Sequence, residues 1–332
     1  MESYEVIIVG AGPGGLHCAE ILAKAGRKVI VLEKNSVVGP KACAGGLPRH
    51  TFEYLGIPEK LVEKKFKEIC LHTPYSTKVI KSRKPLVYTI QREKLGRWQL
   101  HNAKEAGVLV RTRAKVTKIL KDHVIIDHNK KLRFKYLVGA DGVASIVRRH
   151  LGLRTKYVGA TYQYNIPTTR YKNLELFFGP KLFRPRHFYI FPHKDRVFIG
   201  CGKFPPIFRT KNLKEDFNNW LEKKNIDISN AEFQAASFNS DFRGYKFNNV
   251  FLVGDAAGLT SGLTGEGVYQ ALVSGEEVAK IIIDNNYVSK IMLKLIHKHR
   301  MHLWALMFFE MFFPIRPLAY KLMGGMIKKE CL

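Results

Sequence analysis

The chain opens on an apolar run that breaks into glycines and passes straight into a helical pattern: Val6-Ile-Ile-Val-Gly10-Ala-Gly12-Pro13-Gly14-Gly15. Tyr4–Val9 reads as a buried parallel strand, Leu16–Ala25 as a helix stopping at Gly26, and Lys28–Leu32 as a second apolar strand. Together they make a βαβ unit within about thirty residues. Gly10, Gly12 and Gly15 form G-x-G-x-x-G at the strand–helix junction. The first glycine permits a tight turn, the second lets the backbone approach a pyrophosphate, and the third lets helix and strand pack closely. The helix N-terminus adds free N–H groups and a favourable dipole for phosphate. Glu33 closes the second strand 18 residues past Gly15 (33 − 15), with Lys34 beside it. A carboxylate there can accept from both ribose hydroxyls and repels a 2′-phosphate. The expectation is a dinucleotide site.

Composition narrows the partners. Lys and Arg number 55 against 28 Asp and Glu, a formal charge of +27 on 332 residues. Such a surplus attracts polyanions. The basic residues recur along the whole chain, and no helix-turn-helix, zinc-finger or aromatic RNA-binding pattern accompanies them, so no nucleic-acid partner is expected. The remaining candidates are an anionic membrane surface or a lysine-rich background. The five cysteines are odd in number and lack any C-x-x-C pair, which argues against a disulfide framework or a metal site and fits a reducing cytosol. The N-terminus runs directly into a strand without the pattern of a signal peptide. Lys329-Glu-Cys-Leu332 puts its cysteine second from last, which is not a prenylation box.

Further along, Gln91–Ala106 reads as a helix, and Val108–Arg113, Ala114–Leu120, His123–Asp127 and Tyr136–Ala140 as strands. From Tyr157 to Phe242 the chain turns aromatic and alternating. Phe188–Phe191 and Arg196–Ile199 flank a polar turn and read as a hairpin, and Leu213–Lys224 as an amphipathic helix. Asn249–Val253 is a buried strand, followed by a helix from about Gly265 to Asp284. Met301–Phe313 is almost wholly apolar but too short to span a bilayer, and basic residues flank it. It reads as a core helix over the cavity, with a membrane-facing role for the flanking charge.

Two further motifs decide the nucleotide. Val138-Gly-Ala-Asp141-Gly142-Val-Ala-Ser145-Ile-Val-Arg148-Arg149 resembles the Asp-Gly motif of flavin enzymes built like p-hydroxybenzoate hydroxylase, and Val250-Phe-Leu-Val-Gly254-Asp255-Ala-Ala-Gly resembles their Gly-Asp motif. With the first loop, they occur in that superfamily's order across most of the chain. The resemblance implies FAD, with Asp255 accepting from ribityl hydroxyls. Arg92 matches an arginine the superfamily places near the flavin, although the acidic residue four positions on is Gly96 here. Gly39-Pro-Lys-Ala-Cys43-Ala44-Gly45-Gly46-Leu47 resembles the flavin-ring loop of the geranylgeranyl reductase family. Leu263-Thr-Gly265-Glu266-Gly267 closely matches that family's Leu-Thr-Gly-Glu-Gly segment. His187-Phe-Tyr189-Ile-Phe191-Pro192 resembles its Tyr-x-Trp-x-Phe-Pro strand, with His187 for the tyrosine and Tyr189 for the tryptophan.

The resemblance implies an α/β fold: a Rossmann-like FAD-binding domain, an inserted antiparallel β-sheet substrate domain and a C-terminal helical region. The expected segments are 1–70, 91–150 and 245–290 for the first, 71–90 and 151–244 for the second, and 291–332 for the third. FAD is expected against Gly10, Gly12, Pro13, Gly14, Gly15, Glu33, Lys34, Ala44, Gly45, Arg92, Val116, Asp141, Gly254, Asp255, Gly265, Glu266 and Gly267. Cys43 is the catalytic candidate. Gly46, Tyr189, Phe191 and Pro192 are expected at the substrate. Glu266 is either a second catalytic candidate or a cap on backbone N–H groups. His17, His50 and His187 show no ligand spacing and read as structural or surface.

The implied activity is reduction of C=C bonds in an isoprenoid chain, on a membrane lipid, by hydride transfer from reduced flavin N5. The electron donor would be external, either ferredoxin or NAD(P)H, since no second G-x-G-x-x-G occurs. Phe177, Phe178, Phe183, Phe188, Tyr189, Phe191 and Phe198 line a prenyl tunnel or fill a sheet core; strand alternation lets only Tyr189 with Phe191, or Phe188 with Ile190, face a cavity. The alternatives are an aromatic-ring monooxygenase of the same fold and a non-catalytic prenyl carrier of the Rab-escort type. The expected location is the cytoplasm, peripheral to a membrane.

Overall fold

The computed structural model describes residues 1–127, 129–178, 187–203, 213–311 and 325. Phe183 and the part of the C-terminal segment beyond Met311, apart from Gly325, lie outside the described residues.

The opening strand, Glu2–Val9, sits in the middle of an eight-stranded sheet. It pairs in parallel with Val29–Leu32 on one side (Val6 opposite Val29, Val9 opposite Leu32) and with Lys130–Gly139 on the other (Ile7 opposite Leu137). Leu109–Arg111 and Val250–Leu252 extend the parallel sheet outward. Val6, Ile7 and Ile8 are wholly buried. Both faces of the strand are covered, which is why its sequence is continuously apolar rather than alternating. One side is covered by the helix Pro13–Lys24 packed on Val268–Ile283. A Cβ built on Gly14 would lie 2.5 Å from the Ala271 carbonyl oxygen, so the two helices touch backbone to backbone.

The strand expected over Tyr136–Ala140 is longer, Lys130–Gly139. Its first half forms an antiparallel meander with His123–Ile126 and Val116–Ile119. There Leu132 and Phe134 are buried while Arg133 and Lys135 face solvent. That alternation marks one-sided burial, although this half also pairs in parallel with Glu2–Tyr4; continuous burial begins at Leu137.

A second, seven-stranded sheet runs Glu232–Asn239, Val158–Ile166, Val197–Lys203, His187–Pro192, Glu175–Phe178, Glu68–His72, Thr77–Lys81. The expected hairpin is present, with Phe188 opposite Cys201 and Phe191 opposite Phe198. Helix Leu213–Lys223 packs on one face of this sheet; Phe188 stacks on Trp220 at 4.7 Å between ring centroids, over the buried Phe217. Glu68–His72 crosses the expected boundary at residue 70 and belongs to this sheet. A small third sheet, Gly46–Pro48, Val87–Thr89 and Lys64–Phe66, carries the end of the Cys43 loop. The last described helix, Lys290–Met311, lays Met292, Leu295 and Ile296 on the core of the first sheet.

Candidate active site

The C-terminal ends of the parallel strands and one face of the second sheet enclose a single cavity of about 990 Å³. Open α/β sheets bind ligands at this end of their strands. The opening loop forms one rim, where Gly10, Gly12, Pro13, Gly14 and Gly15 all line the cavity. Glu33, nearly buried, braces that rim: one carboxylate oxygen accepts from the Ala11 N–H at 2.9 Å and the other from the Asn35 N–H at 2.9 Å. Lys34 and Val116 line the same end.

Asp141 and Arg92 both line the cavity. Asp141 Oδ2 accepts from the Ile146 N–H at 2.6 Å, which caps a short helix. Burial pushes the Asp141 carboxyl above its ordinary value, against the opposing pull of Ser145 and the backbone N–H groups. Asp141 Oδ1, Arg92 Nη1 and Gln99 Oε1 are buried without a protein partner. Buried polar atoms in a folded protein need partners. A flavin dinucleotide offers acceptors on its diphosphate and hydroxyl donors on its sugars, so these residues fit FAD. Gly96, standing where an acidic residue was expected, has a packing reason: a Cβ there would lie 2.4 Å from Gly39 Cα.

Asp255 lies at the start of a one-turn helix. Its Oδ2 pairs with Lys41 Nζ at 2.9 Å, and its Oδ1 accepts from the Thr260 hydroxyl and from the Asn239 N–H at 3.4 Å. Gly254, Gly265, Glu266 and Gly267 complete this wall. Glu266 does not cap a helix. The helix Val268–Ile283 begins at Gly267 with no side-chain cap, and the Glu266 carboxylate instead faces His50 Nε2 at 2.9 Å, Thr51 Oγ1 at 3.1 Å and Gln270 Nε2 at 3.2 Å. Burial pushes this carboxyl up, but His50, Gln270 and Lys298 together outweigh it and hold it below the usual range.

Cys43, Ala44 and Gly46 line the cavity between the two sheets. Two of the expected residues do not. Gly45 turns the loop at φ +74°, and a Cβ there would meet Ile90 O at 2.6 Å. Pro192 stays in its strand, its carbonyl accepting from Thr89 Oγ1 at 3.2 Å. Tyr189 and Phe191 face the cavity, while Phe188 and Ile190 join the core on the other face. The Tyr189 hydroxyl donates to Gln163 Oε1 at 2.9 Å. His187, read as structural or surface, also lines the cavity; burial lowers it to about 4, so it is neutral near pH 7. His17 does sit as a structural residue, against Glu276 at 3.4 Å.

One residue escaped the sequence reading. His193 is fully buried beside the Cys43 loop. Its Nδ1 lies 2.8 Å from Glu63 Oε2 and its Nε2 lies 2.9 Å from the Ala44 carbonyl oxygen. The other Glu63 oxygen pairs with Lys94 at 2.7 Å. Burial alone would raise the Glu63 carboxyl, but His193 and Lys94 outweigh it and hold it at about 2. The next carbonyl, Gly45 O, accepts from Ile90 N at 2.9 Å. The loop carrying Cys43 is therefore pinned at two successive carbonyls. Nothing in the spacing around His193 signals this, because Glu63, Lys94 and Ala44 meet it only in the folded chain.

Residues 3–283 match the family model described as the FAD binding domain. The chain is similar to an uncharacterized protein of Methanosarcina barkeri, 30% identical over 298 residues, 85% of this chain and 75% of that one. It is 28% identical over 312 residues to a digeranylgeranylglycerophospholipid reductase of Methanococcus vannielii, 86% of this chain and 79% of that one. In fold it resembles a geranylgeranyl bacteriochlorophyll reductase-like protein of Thermoplasma acidophilum, with TM-score 0.80 at 22% identity, over 94% of this chain and 89% of that one. The chain therefore belongs to the FAD-binding domain family and is an FAD-dependent oxidoreductase akin to the geranylgeranyl reductases.

Proposed function

We propose that this protein hydrogenates C=C bonds of a geranylgeranyl or similar isoprenoid chain carried on a membrane lipid, with electrons from an external donor, ferredoxin or NAD(P)H. One observation carries the reading: the cavity is continuous from the nucleotide loop to an apolar end walled by Leu174, Leu176, Phe178, Tyr189 and Phe191, with the Cys43 loop between. Bound in its reduced form, FAD supplies a hydride at N5. The rest falls on the chain. An isolated alkene is unpolarised and must be held, dry and oriented, by the aromatic wall. As hydride reaches one alkene carbon, a proton must reach the other. Cys43 Sγ is the group assigned to deliver it, and the thiolate is then reprotonated from solvent. Glu33, Asp141, Arg92 and Asp255 orient the dinucleotide. The homologous reductase of Methanococcus vannielii supports the substrate class by its name.

The test is anaerobic. Dithionite-reduced protein mixed with prenyl lipids should give products heavier by one H₂ per reduced bond in mass spectrometry. Cys43→Ala should keep its flavin spectrum and lose about two orders of magnitude in reduction rate, the usual weight of a positioned proton donor. Full flavin and full reduction in that variant would remove Cys43 from the mechanism. Normal flavin binding with no prenyl reduction, but NAD(P)H-driven oxygen consumption and a hydroxylated aromatic product, would establish the monooxygenase alternative.

A further inference from the structure

The helix Lys290–Met311 has a buried face and an outward face of unusual composition. Met292, Leu295, Ile296, His299, His302 and Leu306 are buried. On the outward face Leu293 is 57%, Met301 51% and Trp304 71% exposed. Exposed single apolar residues are ordinary, but an aligned set is not. At 3.6 residues per turn, Lys290, Leu293, His297, Arg300, Met301 and Trp304 fall within an arc of about 100°. No Asp or Glu occurs from 288 to 308. The same face therefore presents large apolar side chains and basic groups, on a chain of net charge +27.

We infer that this outward face docks the enzyme on an anionic lipid bilayer. Among the described residues no helix is long and apolar enough to cross a membrane; docking lays this helix in the plane of the surface. An interfacial helix sinks its apolar face about 5–10 Å into the headgroup boundary while lysines and arginines meet anionic lipid. Trp304, Met301 and Leu293 supply the first contact, and Lys290, Lys294 and Arg300 the second. The buried face ties this surface to the cavity. His302 Nδ1 lies 2.9 Å from Ser261 Oγ, which accepts from the N–H groups of Leu263 and Thr264, and both of those residues line the cavity. The docking face is thus one helix thick from the cavity wall, about 10 Å. The choice of a bilayer as occupant rests on the isoprenoid-lipid reading; the binding itself does not.

The experiment uses the full chain with FAD bound and vesicles free of prenyl lipid: phosphatidylcholine alone, or with phosphatidylglycerol. Co-flotation should show binding at least about tenfold tighter to the anionic vesicles, weakening with salt. Brominated acyl chains should quench Trp304 in a variant whose Trp98 and Trp220 are replaced by Phe. Met301→Glu with Trp304→Glu should lose at least about tenfold in vesicle binding, with flavin content and reduction of detergent-dispersed substrate unchanged. Lys290→Glu with Lys294→Glu should lose the preference for anionic lipid. Equal binding by wild type and the Met301–Trp304 variant, or none by wild type, overturns the inference. So does a variant that keeps its vesicle affinity but loses self-association or an acidic electron-donor protein, since the face would then be a protein interface. Vesicle binding without prenyl reduction would sink the substrate reading and leave the docking face standing.

Discussion

The cavity has two walls shaped by glycine, and the two sets of glycines are limited by different neighbours. On the nucleotide side, a Cβ on Gly10 would lie 2.4 Å from Ala140 O, and one on Gly15 would lie 2.2 Å from Gly10 O. On the sheet side, a Cβ on Gly46 would lie 2.2 Å from Phe191 Cε1, and one on Gly202 would lie 2.1 Å from His187 Cε1. The first pair meets backbone just past two strand ends, where the Gly10 N–H donates to Leu32 O and the Ala140 N–H to Val9 O, both at 2.8 Å. The second pair meets the ends of rings. Backbone in a sheet cannot retreat without breaking its ladder, whereas a ring can rotate about its own bonds. The glycine-loop wall is therefore the more rigid, and the aromatic wall the more adjustable.

Gly10→Ala probes the fixed wall hardest. Gly10 holds φ +103°, so a side chain adds backbone strain to the contact with Ala140. The expected cost is about 4 kcal/mol, enough to leave little folded, flavin-bound protein. The check is flavin retained on purification together with the melting temperature. A yellow protein melting within a few degrees of wild type would erase the contrast between the walls.

His193 stands behind the Cys43 loop, against the Ala44 carbonyl, and it comes next. His193→Ala leaves Glu63 buried with Lys94 alone and frees the Ala44 carbonyl. A cost of about 2–3 kcal/mol is expected from the unpaired buried group. The more specific readout is Cys43 itself. Its alkylation by iodoacetamide, followed by mass spectrometry, should speed several-fold while alkylation of Cys70 stays constant. Uniform acceleration at both thiols would mean general loosening and not release of the loop.

The same junction should show in acid. The Glu63 carboxyl is held at about 2 against an ordinary 4.5. A depressed carboxyl contributes stability that is full above its unfolded value and is lost as pH falls through the folded one. Wild type should therefore lose this contribution between about pH 4.5 and pH 2, and Glu63→Gln should lack that component of the acid transition. Superimposable urea midpoints for the two proteins across that window would dismiss the pair as a stabilising contact.

Gly202→Ala should do least. The His187 ring must yield, at a cost of about 1 kcal/mol, and the flavin spectrum should not change. The cavity beside His187 narrows, so the change belongs in the relative rates on short and long prenyl chains. Loss of flavin from this variant would show that the sheet wall is as constrained as the other.

Local pattern made the dinucleotide wall legible. Strand, glycine loop and helix are contiguous between residues 2 and 24, so propensity and spacing carry most of the information. Alternation over 187–192 likewise separated Tyr189 and Phe191 from Phe188 and Ile190, because a strand has a period of two whatever it packs against. The early part of the Lys130–Gly139 strand was missed because one strand changes from one-sided to two-sided burial midway, and its sequence changes pattern with it. Gly45 and Pro192, expected at the flavin and the substrate, do not line the cavity, for a related reason. They sit beside cavity residues in sequence, but turn and strand geometry point them elsewhere.

The sequence alone determined the nucleotide loop, its βαβ frame, the excess of positive charge and the aromatic character of the second sheet. These depend on residues near one another in the chain or on simple totals. Only the tertiary structure decided that Glu266 faces His50 rather than a helix end, that His193 pins the Cys43 loop, and that the apolar residues of the last helix divide between core and surface. Each of those outcomes depends on groups brought together from distant parts of the chain, as when Glu63 and His193 meet across 130 positions. Local periodicity carries no record of which distant partner folding will supply.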